Sequence, residues 1–103
     1  MSEPLGIKVS ELADRQIREA DRWWRLNRLK APNAIREELE RIAALIVHRP
    51  HVGARAVNVR LVGVRRIHIE RIHYDLYYRV VGSPQMIEIV AFWGSRRGSG
   101  PPI

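Results

Sequence analysis

Residues 63–81 read GVRRIHIERIHYDLYYRVV, and their pattern indicates two consecutive β-strands. In the first strand Ile67 and Ile69 alternate with Arg66 and His68. Because successive side chains of a strand point to opposite faces of a sheet, one face should be apolar and the other should be basic. The stretch therefore predicts a sheet whose apolar face is covered by other elements.

The second strand and the residues after it continue this sheet. The apolar face of the second strand should hold Tyr74, Leu76, Tyr78 and Val80. The opposite face should hold Asp75, Tyr77 and Arg79. Residues 82–85 (GSPQ) have the composition of a turn, and Met86 to Trp93 is apolar on both faces. We therefore expect this last strand to lie in the interior of the sheet.

Two amphipathic helices are predicted before these strands. Gly6 to Ser10 has the pattern of a short first strand, and Ser10 can cap a helix that begins near Glu11. The apolar stripe of the first helix consists of Ala13, Ile17, Ala20 and Trp24. The stripe of the second helix consists of Ile35, Leu39, Ile42 and Ile46. Both stripes step by four, three and four residues, which is the spacing of one helical face.

The connecting residues indicate where the second helix starts and stops. Residues 27–32 (NRLKAP) break the helical pattern, and Pro32 is expected to be an early residue of the second helix. That helix should end before Pro50. Glu37 and Arg41 lie four residues apart and should form an exposed ion pair on it.

The predicted order of elements is β-α-α-β-β-β, which is an α+β architecture. The sheet should be rich in antiparallel pairs, with the helix hairpin packed on one face. Residues 57–62 are also expected to be extended. We expect a single domain over residues 1–103, with a core at residues 6–95 and an irregular, Gly- and Pro-rich tail at residues 96–103.

Positive charge is concentrated in the second half of the chain. The formal net charge is +7. Residues 1–47 hold nine Lys or Arg and eight Asp or Glu, whereas residues 48–103 hold nine Arg and three acids. The guanidinium group binds two oxygens of a carboxylate or phosphate at once. The distribution therefore indicates an acidic partner, which is a nucleic acid, an acidic protein or both.

Several kinds of chemistry lack support in the sequence. There is no cysteine, and no serine lies within a nucleophile motif. His48 and His51 are separated by Pro50, and no known metal-ligand spacing is present, so no metal site and no cofactor are expected. No segment resembles a signal peptide or a membrane span, which leads us to expect a cytoplasmic protein.

The candidate target-binding surface is the basic face of the sheet together with the tail. Its predicted members are Arg65, Arg66, His68, Arg79, Trp93, Arg96 and Arg97. For any single arginine, a solvated outer face is the more common explanation. The scarcity of acids around the whole group favours a binding function. Trp23 lies beside the apolar stripe of its helix, where a partner could cover it.

The chain resembles the RelE/ParE superfamily of bacterial type II toxins over about residues 6–98. The resemblance is carried, in order, by ADRWWRLNRLKAP, EELERIAALIVHRP, GVRRIHI, HYDLYYRVV and IEIVAFWGSRR. It implies a toxin, acting in plasmid stabilisation and growth arrest, that an antitoxin with an acidic segment neutralises in a hetero-oligomer. The residues expected to bind that antitoxin are Trp23, Arg66, Tyr77 and Arg79.

The superfamily has two branches with different targets. RelE-like members cut mRNA on the ribosome, and the resemblance places a catalytic arginine where this chain has Asp75. Arg66, His68 and Arg96 or Arg97 match basic positions of that branch, but its usual C-terminal Tyr or His is missing. We therefore expect a ParE-like protein that inhibits DNA gyrase by binding, with a ParD-like antitoxin. An mRNA endonuclease and a toxin that has lost its activity are the alternatives.

Overall fold

A computed structural model describes residues 3–103. Its elements are β1 (Gly6–Val9), α1 (Glu11–Asn27), α2 (Ala34–Ile46), β2 (Ala54–Arg55), β3 (Arg65–Ile69), β4 (Tyr74–Val81) and β5 (Met86–Gly94). Within residues 3–103, neither helix combines the length and the apolar character that crossing a membrane requires. The order is the predicted one, with the two-residue strand β2 added after the helices.

All strands belong to one five-stranded sheet in the order β1-β5-β4-β3-β2. Strand β1 is parallel to β5, and the other pairs are antiparallel. Strand β5 pairs on both sides, so its predicted interior position is confirmed. Residues 57–62 were expected to be extended, but they form an irregular loop between β2 and β3. The Ala56 N–H donates to the Val64 carbonyl at 2.9 Å, after which the chain turns away from β3.

The helix boundaries follow the capping residues with one exception. The Ser10 side chain accepts a hydrogen bond from the Ala13 N–H at 3.1 Å, which caps α1 as predicted. Pro32 was expected inside α2, but the helix begins at Ala34 after the cap residue Asn33. The Ala34 N–H donates to the Ala31 carbonyl at 3.2 Å, so a tight turn occupies residues 31–34 before the helix.

The predicted stripes of both helices pack on one face of the sheet. Ile35, Ile42 and Ile46 of α2 are at most 2 % exposed and belong to the same cluster as Leu76 and Tyr78 of β4. Within the cluster, Tyr74 stacks on Phe92 with ring centroids 4.6 Å apart. This burial fixes which side chains of β4 and β5 must point away from the helices.

The face opposite the helices is not the open basic surface that the sequence predicts. Its centre is a second apolar cluster made of Val64, Tyr77, Val90 and Ala91. Val59, Leu61 and Ile103 pack against this cluster from the 56–61 loop and the tail. The tail has no helix or strand, as expected, yet it is anchored, since the Arg60 N–H donates to the Ile103 carbonyl at 2.8 Å.

Arg71 connects α2 to the turn between β3 and β4. Its guanidinium lies 2.9 Å from the Glu37 carboxylate and 3.2 Å from that of Glu38. Arg41 was expected to pair with Glu37, but it pairs with Glu38 at 2.7 Å, three residues away. The hydrogen bond from Arg41, joined by that from Arg71, lowers the pKa of the nearly buried Glu38 carboxyl against the opposing effect of burial.

Replacing Glu38 with Gln should lower the free energy of unfolding at neutral pH by about 1–2 kcal/mol, because two charge-assisted interactions are lost. Because the pKa of Glu38 is lower in the folded chain than its ordinary value of 4.5, the ionised carboxylate stabilises the fold at pH values above 4.5. This stabilisation is lost as the pH falls through the pKa that Glu38 has in the folded chain. Urea unfolding from about pH 6 to about pH 3 should therefore show the difference from wild type shrinking in acid. The control Glu40→Gln changes an exposed residue of the same helix and should have little effect. A difference that is constant with pH would contradict this role of Glu38.

Candidate functional site

Strand register arranges the outward-facing polar residues in rows across the sheet. Lys8 of β1, Glu88 of β5 and Arg79 of β4 form one row. The Glu88 carboxylate lies 2.8 Å from the Arg79 guanidinium and 3.9 Å from the Lys8 amine. Arg79, a predicted site residue, is therefore neutralised within the chain, at the opposite end of β4 from Asp75.

Arg65 does not lie on the outer face where the sequence analysis placed it. It pairs with Tyr78, whose ring belongs to the cluster under the helices. The Arg65 guanidinium donates to the Gly53 carbonyl at 2.7 Å, which ties the loop after α2 to β3. Arg65 consequently has a structural contact on the helix side of the sheet.

Four predicted site residues do meet on the outer face. They line an open cleft of about 340 Å³, which we call the outer cleft. The four residues are Arg66, Tyr77, Trp93 and Arg97. The backbone of residues 98–100 forms its far wall. Two rows of the sheet supply the floor, since Arg66 pairs with Tyr77 and Asp75 pairs with Trp93.

The buried side chain of Tyr77 forms part of the floor of this cleft. It is 1 % exposed, and its hydroxyl accepts a hydrogen bond from the Asn58 side chain at 3.1 Å. Residues of the 56–61 loop and the tail pack on the cluster that contains its ring, and Tyr77 stays a predicted antitoxin contact.

His68 stands between carboxylates at the rim of the same face. Its Nδ1 lies 2.8 Å from Asp75 Oδ1, and its Nε2 lies 2.7 Å from Glu70 Oε2. The hydrogen bond to Asp75, followed by that to Glu70, raises the pKa of the His68 imidazole. Both ring nitrogens are therefore engaged by the chain's own acids, and Asp75 offsets positive charge where a phosphate would need it.

Three arginines of the predicted site keep their charge available. Among residues 3–103, the carboxylates form no ion pair with Arg66, Arg96 or Arg97. The Arg97 guanidinium lies 4.0 Å from the centre of the Trp93 ring, which is a cation–π arrangement. The Trp93 indole N–H donates to the Ser99 carbonyl at 2.8 Å and so holds the tail beside it. We call Arg66, Arg96, Arg97 and Trp93 the arginine cluster.

A groove along α1 opens beside the arginine cluster. It consists of two adjoining clefts of about 550 and 700 Å³ that share Trp23, Tyr74 and Arg97. Trp23 is 47 % exposed, as predicted for a residue beside the stripe. The Arg28 guanidinium lies 4.9 Å from the centre of the Trp23 ring. The groove is thus both aromatic and cationic.

Some residues of this groove carry a signal that the sequence analysis did not use. Arg15 and Glu19 lie eight and four residues before Trp23 and therefore share one helical face with it. Tyr74 has no such signal, because only the stacking of strand on helix brings it to the groove. Leu26 and Leu29, 69 % and 79 % exposed, lie just beyond Trp23 along the chain.

Comparison with known proteins identifies the family. A family model described as the ParE toxin of the type II toxin-antitoxin system parDE matches residues 7–98, so the chain belongs to this family. A solved structure of a chromosomal ParDE TA system from P. aeruginosa is similar in fold, with a TM-score of 0.70 and 21 % sequence identity. The match covers 90 % of this chain and 98 % of that chain. No curated protein matches the sequence.

These matches confirm the resemblance to ParE-like toxins and the α+β fold with its helix hairpin. A ParE family member belongs to a two-component toxin–antitoxin system. Both the arginine cluster and the α1 groove are open to solvent and lie next to each other at the end of β5.

The tail should detach from the outer cleft when Gly100 is replaced with Ala. A Cβ at Gly100 would overlap the Asn58 backbone carbonyl, whereas a Cβ at Gly98 would meet nothing. We expect Gly100→Ala to lower the free energy of unfolding by about 1–3 kcal/mol and to speed hydrogen exchange of the Trp93 indole, measured by NMR. Gly98→Ala is the matched control and should resemble wild type. Equal exchange in both variants would contradict the anchoring of the tail.

Proposed function

We propose that this chain is a toxin that inhibits DNA gyrase by binding through the arginine cluster, and that a ParD-like antitoxin neutralises it. One observation carries the proposal: no carboxylate of residues 3–103 pairs with the guanidinium groups of the arginine cluster. These groups accompany the partly exposed ring of Trp93. Arginine and tryptophan are the side chains that most often dominate binding energy at interfaces. A gyrase target would place the chain in the cytoplasm.

Binding accounts for the outer face better than RNA cleavage does. Cleavage through the 2′-hydroxyl needs a free base, a stabilised phosphate and an acid for the leaving group. Here the imidazole of His68 is held between Asp75 and Glu70, and a carboxylate lies among the arginines that would hold the phosphate. These contacts support a protein without catalytic machinery of its own.

An mRNA endonuclease is the second candidate, because a histidine held by a nearly buried carboxylate close to Arg66 resembles a general acid–base pair. Primer extension on a translated message, with and without the toxin, separates the two functions. We expect no toxin-dependent cleavage. Cleavage that His68→Gln abolishes would favour the endonuclease.

Charge reversal tests the target surface. The double variant Arg96→Glu/Arg97→Glu should lose inhibition of supercoiling by purified gyrase and should no longer arrest growth, because repulsion replaces attraction at the arginine cluster. The control Lys30→Glu/Arg49→Glu changes the same amount of charge at exposed positions elsewhere and should remain inhibitory. Circular dichroism should show both variants folded. Full inhibition by the first variant would contradict the proposed surface, and a wild-type chain that neither inhibits gyrase nor arrests growth would favour a toxin that has lost its activity.

The α1 groove is the proposed site for an antitoxin segment. An amphipathic segment with acidic residues could cover Trp23 and pair with Arg28 and Arg97. Trp23→Ala should weaken binding of the antitoxin encoded in the adjacent reading frame by about 10- to 100-fold, as for a central interface tryptophan. Val62→Ala truncates an exposed side chain outside the groove and should leave the affinity unchanged in calorimetry. Equal affinities for the two variants would exclude Trp23 as an anchor. Arg66, Tyr77 and Arg79 stay predicted antitoxin contacts, with Arg79 already paired inside the chain.

A further inference from the structure

The turn between β3 and β4 gathers side chains of the kind that ligate transition metals. One nitrogen of His68, one nitrogen of His73 and one carboxylate oxygen of Glu70 all lie within 4.8 Å of one another. Zinc and related divalent ions bind such atoms at about 2.0–2.2 Å. The three atoms would have to draw closer together, by rotation of their side chains, to surround one ion.

We propose that His68, Glu70 and His73 form a binding site for a divalent transition-metal ion of the zinc class. The sequence analysis expected no metal site, because His48 and His51 lack ligand geometry and no known motif is present. The fold brings together a different pair of histidines, five residues apart, on either side of a tight turn. The proposal is independent of gyrase inhibition.

The backbone of the turn is shaped to bring His73 back toward the strand. His73 has a φ of 55°, in the left-handed region that non-glycine residues rarely adopt. Its N–H donates to the Ile69 carbonyl at 2.9 Å, and its carbonyl accepts from the Ser95 N–H at 2.9 Å. The turn therefore holds a strained conformation at a residue with a ligating side chain, which is a feature of functional sites.

Asp75 provides the supporting contact that metal-binding histidines usually have. Its carboxylate is 7 % exposed and lies 2.8 Å from Nδ1 of His68. A carboxylate on Nδ1 fixes the tautomer that leaves Nε2 free for an ion, and it also orients the ring. Nε2 at present faces Glu70 Oε2 at 2.7 Å, so an ion would replace a hydrogen bond between two of its own ligands.

The charges around the three ligands suit a doubly charged cation, except that of one arginine. Glu70 and Asp75 together balance two positive charges when both histidines are neutral. The Arg96 guanidinium lies 3.3 Å from Nε2 of His73 and would have to turn outward when the ion binds. Three protein ligands leave a fourth position for water or for a group of a partner.

Binding of Co²⁺ and Zn²⁺ to the full chain, prepared without an affinity tag, tests the site. Calorimetry should give one Zn²⁺ per chain, and Co²⁺ should develop the visible absorption of a four-coordinate ion. His68→Gln, Glu70→Gln and His73→Asn should each weaken binding at least 10-fold. Asn is used at position 73 because it tolerates the left-handed conformation.

Three further variants distinguish a specific metal site from nonspecific binding of the ion. Asp75→Asn keeps all three ligands and should weaken binding by about 10-fold or more, whereas Arg96→Ala should strengthen it. His51→Asn removes an exposed histidine outside the cluster and should change nothing. Absence of saturable binding, binding that survives His73→Asn, or loss of binding in His51→Asn would overturn the proposal. Gyrase inhibition is measured separately, so either proposal can fail alone.

Discussion

Burial of the helix hairpin on one face of the sheet determines what the other face presents. Leu76, Tyr78 and Phe92 are held under α1 and α2, and strand alternation then directs Asp75 and Trp93 outward. A β-bulge in β5 is part of this arrangement. Tyr77 pairs with Ala91 but Tyr78 pairs with Ile89, so Val90 is an extra residue, and Ile89 and Phe92 both stay in the cluster under the helices although they are three residues apart.

Contacts within the chain engage several arginines of its second half. Glu88 neutralises Arg79, Glu37 and Glu38 hold Arg71, and Arg65 donates to a backbone carbonyl. Arg66, Arg96 and Arg97 are among the arginines that no carboxylate of residues 3–103 pairs with, and they lie beside the α1 groove. The arginine cluster and the α1 groove share Trp93, Arg96 and Arg97, so an antitoxin seated in the groove would also compete for the charge that the target is proposed to use.

Local patterns were sufficient to predict most of the fold. The alternation of residues 63–81 and the two helical stripes depend only on neighbours in the sequence, and Ser10 caps α1 as its type suggests. The cover over the outer face was missed because it depends on contacts between residues far apart, such as Arg60 with Ile103. Val59 and Leu61 are apolar because they pack on the apolar cluster of the outer face, and this apolar character was interpreted as a strand.

The candidate site was harder to predict than the fold, since the sequence shows which residues are charged but not which of them form ion pairs. Arg65 and Arg66 are neighbours with opposite orientations, and only register shows that Arg79 faces Glu88. The convergence of His68 and His73 depends on a left-handed residue that the sequence does not announce.

The central claim, that the arginine cluster is the surface that engages gyrase, is tested most directly by hydrogen–deuterium exchange of the chain with and without gyrase. We expect slower exchange in residues 92–100 and around Arg66, with no change in β1 and the Arg79–Glu88 region. Protection confined to β1 and the Arg79–Glu88 end of the sheet, with residues 92–100 unchanged, would contradict it.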